Sequence, residues 1–261
     1  MRSYTIFHPF LLSFFSKSLY RDVGRNWRGA AFLYLLLLLA VCSIPPMVKI
    51  HLGFTEFVKK TAPGVVQQIP DITISGGEAS IKEPQPYIIK DPDTGKPLII
   101  IDTTGKYTSL NDTKATALLT KTEFIVKRNA RETRIFKLSE FDKLFIDQDR
   151  INSWLEIFRK WIAIVLFPFA LVFSFIYRIV QALVYALFGL LFAKATGSSL
   201  DYDALLSLAI VAITPAVILN TVRNMLGIPI PLWWFICFVI AMGYLFFAVA
   251  ANRNEGVAET V

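Results

Sequence analysis

The longest apolar run in the chain covers residues 161–193 and contains one charged residue, Arg178. A helix needs about 20 apolar residues to cross a bilayer core of about 30 Å, so this run is long enough to span a membrane. At about 1.5 Å per residue it would measure about 50 Å, which is longer than the core even for a tilted helix. We therefore predict a long helix over 154–193 that bends or leaves the core at Pro168 or near Arg178.

Three further apolar runs cover residues 29–48, 204–222 and 231–251. With the long run they predict about four transmembrane helices, at 29–50, 154–193, 204–223 and 231–251. Pro45-Pro46 is expected to end or kink the first helix, and Thr214-Pro215 to kink the third. An even number of spans places both termini on the same side of the membrane.

Residues 1–28, before the first span, have the pattern of an amphipathic helix. The predicted apolar face consists of Phe7, Phe10, Leu11 and Phe14, and the polar face of Ser13, Ser16, Lys17 and Tyr20. Such a helix is typical of segments that lie in the plane of a membrane surface. A helix packed against the spans is the alternative interpretation.

The same segment carries the charges that orient the protein. The segment contains one acidic residue, Asp22, and five basic residues: Arg2, Lys17, Arg21, Arg25 and Arg28. Because basic flanks stay in the cytoplasm, both the N-terminus and the tail at 252–261 are predicted to be cytoplasmic.

Residues 51–150 have a different pattern, which is polar, nearly balanced in charge and interrupted by turn residues such as Gly76-Gly77. A helix is predicted over 55–68. Short strands are predicted at 72–74, 79–82, 87–90, 98–102, 117–126 and 133–138. Ser139 and Asp142 have the pattern of a helix N-cap that leads into the long helix.

These elements predict a membrane α-helical protein with an inserted extracytoplasmic α+β domain, whose sheet is mostly antiparallel. About four transmembrane helices and the N-terminal amphipathic helix make up the remainder. The predicted domains are the cytoplasmic interfacial helix at 1–28, transmembrane helix 1 at 29–50, the α+β domain at 51–150, the transmembrane bundle at 151–251 and the tail.

Composition agrees with a membrane protein, since 54% of the residues are hydrophobic. The net charge of +7 raises the question of nucleic acid, but basic residues beside the spans explain it better. Cys42 and Cys237 both lie inside apolar runs, so no disulfide framework is expected.

A stripe of polar residues interrupts the long apolar run. Ser174, Arg178, Gln181 and Tyr185 have i, i+4, i+7, i+11 spacing, which places them on one side of a helix. A charge inside a span is a candidate functional residue. Alternatively, Arg178 lies at the cytoplasmic headgroups, and the following residues, 180–193, form an oblique or interfacial extension. In either case the stripe is expected to contact a partner, water or headgroups rather than lipid tails.

The most motif-like run is 99–106, with Asp102, Thr103, Thr104 and Gly105 after three isoleucines. An apolar strand that ends in Asp-Thr-Gly is typical of aspartic proteases, but a second threonine intervenes and no second carboxylate loop occurs. The lysine that should follow the aspartate in ion-pumping ATPases is absent. We predict a strand that runs into an Asx-type turn.

No other pattern in the sequence indicates chemistry. His8 and His51 are isolated, and no group of Cys, His, Asp and Glu has the spacing of a metal site. Phosphate-binding loops, nucleophile elbows and dinucleotide turns are absent as well. We therefore expect no enzyme activity, no cofactor and no metal.

The layout resembles an uncharacterised bacterial family. The features that carry the resemblance are a Phe-rich N-terminal helix ending in Ser18-Leu19-Tyr20, a first span, the run IIIDTTGK at 99–106 and three further apolar stretches. Members of that family are often labelled maltodextrin-utilisation proteins, and the family is grouped loosely with the Yip-type integral membrane proteins. It has no established activity, so the resemblance implies no catalytic residues.

The expected function is that of a non-catalytic accessory or scaffold subunit of an envelope transport or lipid-handling assembly. The protein would lie in the bacterial inner membrane and contact lipids, and its extracytoplasmic domain would dock a protein partner. The alternative is a small solute or lipid transporter component with a polar path along the stripe. Four spans are few for an alternating-access carrier, and no paired broken helices occur.

Overall fold

The computed structural model describes residues 2–111, 113–129 and 132–253. The predicted tail therefore lies outside the described residues except for Asn252 and Arg253. The chain divides into two compact units. We call Met1–Ile50 with Ala163–Val261 the helical unit, and His51–Ile162 the sheet unit.

Four helices among the described residues are long and apolar enough to cross a membrane. They are Arg28–Val66, Gln148–Thr196, Tyr202–Leu226 and Trp233–Ala251. This agrees with the predicted number of apolar helices. Their bounds differ from the predicted ones at several points, and each difference has a local or a tertiary cause.

The N-terminal segment contains two helices, α1 (Pro9–Leu12) and α2 (Lys17–Asn26), rather than one amphipathic helix. The Ser16 hydroxyl caps α2 by accepting a hydrogen bond from the Leu19 amide. The predicted polar face needs correction. Ser13 and Tyr20, assigned to the polar face, are fully buried. Tyr20 is buried because α2 packs against other helices of the helical unit, and its hydroxyl donates to the backbone carbonyl of Ser13, which follows α1. The exposed apolar side chains are Phe7, Leu11 and Phe15.

The first long helix does not end at the double proline. Helix α3 (Arg28–Glu56) continues through Pro45 and Pro46 into a π-helical turn (Phe57–Thr61) and then α4 (Ala62–Val66). Proline's fixed φ is itself a helical value, so two missing donors weaken the helix without ending it. The helix predicted separately at 55–68 is the end of this same helix.

Helix α5 (Gln148–Thr196) is one continuous helix that includes Pro168. Its last turns pack within the helical unit, where Ala182, Ala186 and Gly189 are buried. The predicted third span is divided at Ile213 into α6 (Tyr202–Ala212) and α7 (Thr214–Leu226), which agrees with the predicted kink at Thr214-Pro215. Helix α8 (Trp233–Ala251) follows.

The described residues of the sheet unit form eight strands in two sheets: β1 (Ile72–Ser75), β2 (Glu78–Ser80), β3 (Tyr87–Lys90), β4 (Pro97–Ile101), β5 (Ala117–Leu119), β6 (Glu123–Lys127), β7 (Thr133–Lys137) and β8 (Lys143–Ile146). One sheet has the order β2-β1-β8 and the other β3-β4-β5-β6-β7. Every pair is antiparallel except β4 with β5, as expected for a mostly antiparallel fold.

Two predicted elements of this unit are wrong. The strand predicted at 117–126 is two strands, because the Thr120 hydroxyl accepts from the amides of Thr122 and Glu123 and closes a tight turn. The N-cap predicted from Ser139 and Asp142 is not formed. A 3₁₀ turn (Leu138–Glu140) and strand β8 occupy that region.

Candidate functional site

Asp102 directly follows strand β4, and its carboxylate organises the turn. One carboxylate oxygen, Oδ1, accepts hydrogen bonds from the backbone amide and the hydroxyl of Thr104, and Oδ2 accepts from the Tyr107 amide. The residue is fully buried, and Gly105 takes a left-handed φ of 87° that few other residues adopt. The result is an Asx-type turn closed by a longer loop.

The electrostatics of Asp102 follow from these donors. Burial by itself would raise the pKa of the carboxyl group. The hydrogen bonds from Thr104, Tyr107 and the Lys106 amide outweigh burial, so the pKa is lower than that of an ordinary aspartate. Both carboxylate oxygens already accept hydrogen bonds from the following loop. Such a carboxylate stabilises a turn and is poorly suited to act as a nucleophile or an acid–base group.

A polar depression lies beside this turn, between it and the turn that joins β5 to β6. Its lining includes Thr103, Thr108, Thr122 and Lys121. The ammonium of Lys121 lies 3.0 Å from the carboxylate of Glu78. The Thr103 amide donates to the side-chain carbonyl of Gln85. The polar depression is therefore lined by loops whose side chains and backbone are already hydrogen-bonded or ion-paired within the sheet unit.

The polar stripe on α5 forms a chain of hydrogen bonds along the helix. The Arg178 guanidinium donates to the carbonyl oxygen of Gln181, and the Gln181 amide donates to the Tyr185 hydroxyl at 2.8 Å. The guanidinium also lies 5.5 Å from the ring centre of Tyr177. Ser174, the first residue of the stripe, is half-buried.

Helices α3 and α8 both approach this stripe. Cys42 on α3 and Cys237 on α8 lie near Arg178. Phe238 on α8 packs edge-to-face on Tyr185, with ring centres 5.8 Å apart. The stripe thus faces other helices of the same unit, and Arg178 has both hydrogen-bonding and aromatic neighbours.

An apolar cavity of about 520 Å³ lies between the two sheets of the sheet unit. Every strand except β2 contributes at least one side chain to it, and all lining residues are Ile, Leu, Phe or Trp. On β1, β4 and β8 the lining residues alternate along the strand, as in the pair Ile99 and Ile101. The cavity wall presents only apolar surface.

The sequence patterns did not predict this cavity. The period-2 alternation that produces its wall is visible in the sequence, for example at Ile72 and Ile74. Alternation shows that one face of a strand is buried, but it does not show which face of which other strand lies opposite. The distance between two facing sheets is a tertiary property.

No group of three or more His, Cys, Asp and Glu side chains that could hold a metal ion occurs in the part of the chain that the structure describes. The candidate sites described above are a hydrogen-bonded turn, a polar stripe among helices and an apolar cavity. They define a protein with an apolar helical unit and a two-sheet unit that encloses apolar space.

A comparison with known families matches residues 7–249 to a family described as "Protein of unknown function (DUF1189)". The chain belongs to this family. The expectation of an uncharacterised family is confirmed. No curated protein and no solved structure matches the chain.

Proposed function

We propose that this protein is a multi-pass protein of the bacterial cytoplasmic membrane and acts as a non-catalytic accessory subunit. Its sheet unit would face the extracytoplasmic side and dock a protein partner within an envelope transport or lipid-handling assembly. The four apolar helices support the membrane location by length and composition. The basic N-terminal segment supports cytoplasmic termini.

The observation that carries the proposal is the exposure of α5. Within its most apolar stretch no residue is buried by the rest of the chain. Large side chains such as Phe169 and Phe173 point outward there, and burial begins only at Ala182. A span that makes so few contacts inside its own chain presents a long surface to lipid and to other membrane proteins, as an assembly subunit requires.

A second surface that favours a docking role is the edge of the five-stranded sheet. Strand β7 is the last strand in that sheet among the described residues, and all five of its residues are exposed. The apolar side chains of Ile135 and Phe136 are among them. Exposed edge strands can accept a strand from a partner, which gives main-chain hydrogen bonds and side-chain contacts together.

The test places a photoreactive amino acid at single sites in the full-length protein within its membrane. Phe173 on α5, 71% exposed, and Ile135 on β7 are the test sites, and Trp234 on α8, 72% exposed, is the control. We expect one protein adduct of fixed mass from a test site and lipid adducts alone from the control. The same partner should co-purify in mild detergent without cross-linking.

Two results would contradict the proposal. If both test sites give only lipid adducts, the protein has no partner at these surfaces. If the adduct has the mass of two copies of this chain, the surface serves self-association and not an accessory role. The polar-path alternative is tested separately by substitutions at Arg178.

A further inference from the structure

The cavity between the two sheets is much larger than an ordinary packing defect. Protein interiors contain few voids larger than a water molecule. An apolar cavity of about 150 Å³ already binds a ring the size of benzene. The volume of about 520 Å³ is several times larger and lies within the range of small-molecule sites.

The wall of the cavity restricts the chemistry of an occupant. All lining side chains are apolar, and the wall offers no hydrogen-bonding group to a polar occupant. Burying a hydroxyl, amide or charge there would leave it without a partner, which is strongly unfavourable. Only the hydrocarbon part of a ligand fits this wall, and any polar headgroup must remain outside.

The rim of the cavity is aromatic and exposed. Phe136, Phe141 and Trp154 line it and are between 42% and 45% exposed. Trp154 lies on α5, seven residues before the apolar run that starts at Trp161. Seven residues correspond to about 10 Å of helix, so the rim on α5 is within two turns of the apolar run. Aromatic residues at that depth are typical of the membrane interface.

We propose that this cavity binds one acyl chain of a membrane lipid, with the lipid headgroup outside the rim formed by Phe136, Phe141 and Trp154. The proposal rests on the proposed function only in that the sheet unit lies at a membrane surface. The ligand class is then a membrane lipid, and its binding site is the cavity between the two sheets.

The experiment uses the full-length protein reconstituted in vesicles of phosphatidylethanolamine and phosphatidylglycerol. A phospholipid with a diazirine near the end of one acyl chain is included, and labelled peptides are mapped by mass spectrometry after illumination. We expect adducts on strands β4 and β5, at or near Ile101 and Leu119, in addition to adducts on the exposed faces of the helices.

Two substitutions fill the cavity from opposite sheets: Leu119→Trp on β5 and Leu144→Trp on β8. Each methylene excluded from the cavity weakens binding about fourfold, so displacing two or more lowers labelling of the sheet unit by about tenfold or more. The matched control is Ile88→Trp, which adds the same ring at an exposed position of β3 whose side chain is not part of the cavity lining. It should leave cavity labelling unchanged, and labelling of α5 should persist in all three variants.

Several outcomes would overturn the proposal. One is the absence of cavity adducts in the unsubstituted protein, which decides the matter even if both filled variants fail to fold. Another is undiminished labelling in a filled variant that elutes as a folded species. A third is stronger labelling by a diazirine fatty acid at equal concentration, which would assign the cavity to free fatty acids.

The lipid-site proposal and the subunit proposal fail separately. Cavity labelling without a protein adduct at Phe173 or Ile135 would support the lipid site and contradict the docking role. A protein adduct without cavity labelling would do the reverse.

Discussion

At the scale of single residues, the carboxylate of Asp102 fixes the conformation of the loop that follows it. Its partners are the amides of Thr104 and Tyr107 and the Thr104 hydroxyl. Because the folded-state pKa is lowered, the ionised carboxylate stabilises the fold. This contribution is present above the ordinary aspartate pKa of about 3.9 and is lost as the pH falls through the lower folded-state pKa.

Asp102→Asn should loosen the turn, because the amide nitrogen cannot accept from backbone N–H groups. We expect a loss of about 1.5–3 kcal/mol in local stability, the range for a hydrogen bond to a charged group. Hydrogen exchange of the full-length protein in detergent should show weaker protection at Thr104 and Tyr107. Protection should fall with acidification below about pH 4 in the unsubstituted protein and be insensitive to pH in the variant.

The control for this prediction is Asp93→Asn, at an exposed turn position. It should leave protection of the Asp102 loop unchanged. Equal protection at Tyr107 in Asp102→Asn and in the unsubstituted protein would contradict the assigned role of the carboxylate.

Arg178 is the residue at which the anchor and polar-path interpretations differ. On the anchor interpretation Arg178→Lys should be nearly silent, within about 0.5 kcal/mol, because an ammonium can also donate to Gln181 or a headgroup. Arg178→Leu should cost about 1 kcal/mol, because the side-chain carbonyl of Gln181 loses the hydrogen bond from the guanidinium, and should not abolish assembly. Thermal unfolding in detergent and partner co-purification measure the two effects.

The outcome that favours the polar path is a lysine variant that folds normally and loses all partner binding or transport. That result would mean that planar, bidentate pairing by the guanidinium is required, because lysine cannot provide it.

At the scale of elements, α2 is held to the end of α8 by a compact set of polar contacts. The Asn252 side chain donates to the carbonyls of Tyr20 and Ala248 at 3.0 and 2.9 Å. Arg21 donates to the Ala251 carbonyl at 2.8 Å. Asn252, at which the predicted tail begins, is therefore buried in the helical unit. Helix α2 is therefore packed against the end of α8. The N-terminal segment is exposed only where it does not contact the other helices.

Gly24→Ala tests this docking. A Cβ at Gly24 would lie 2.8 Å from Oδ1 of Asn252 and displace a side chain that makes two hydrogen bonds. Losing them costs about 1 kcal/mol each, which exceeds the helix-propensity gain of about 1 kcal/mol. We expect a net destabilisation of about 1 kcal/mol by thermal unfolding, with greater accessibility of a cysteine introduced at Val23.

The matched control is Gly29→Ala. No atom lies within 4 Å of a Cβ at Gly29, so only the propensity gain should remain and stability should rise by up to about 1 kcal/mol. Equal effects of the two substitutions would contradict tight packing between α2 and Asn252.

At the scale of the whole molecule, the proposed topology has cytoplasmic termini and an extracytoplasmic sheet unit. Alkaline phosphatase is active only outside the cytoplasm. A fusion after Asn111, within the sheet unit, should be active, and a fusion after Arg253 should be inactive. Immunoblots of both fusions control for expression. The reverse pattern would invert the orientation derived from the basic N-terminal segment.

The sequence by itself was sufficient for features that depend on local patterns. The four apolar helices follow from runs longer than about 18 residues, and strands such as β3 follow from β-branched residues between turns. The break near Pro215 also follows from local chemistry. In each case the determining residues are close together in the chain, so no distant partner is needed.

Only the tertiary structure decided the features that depend on distant partners. Strand β8 was predicted as part of a helix start, but its pairing with β1, about seventy residues earlier, makes it a strand. Tyr20 is buried because α2 packs against other helices, although its spacing indicates a polar face. The apolar cavity depends on two sheets that face each other across a gap. Local patterning shows which side chains avoid water, whereas packing over long sequence separations decides what they meet.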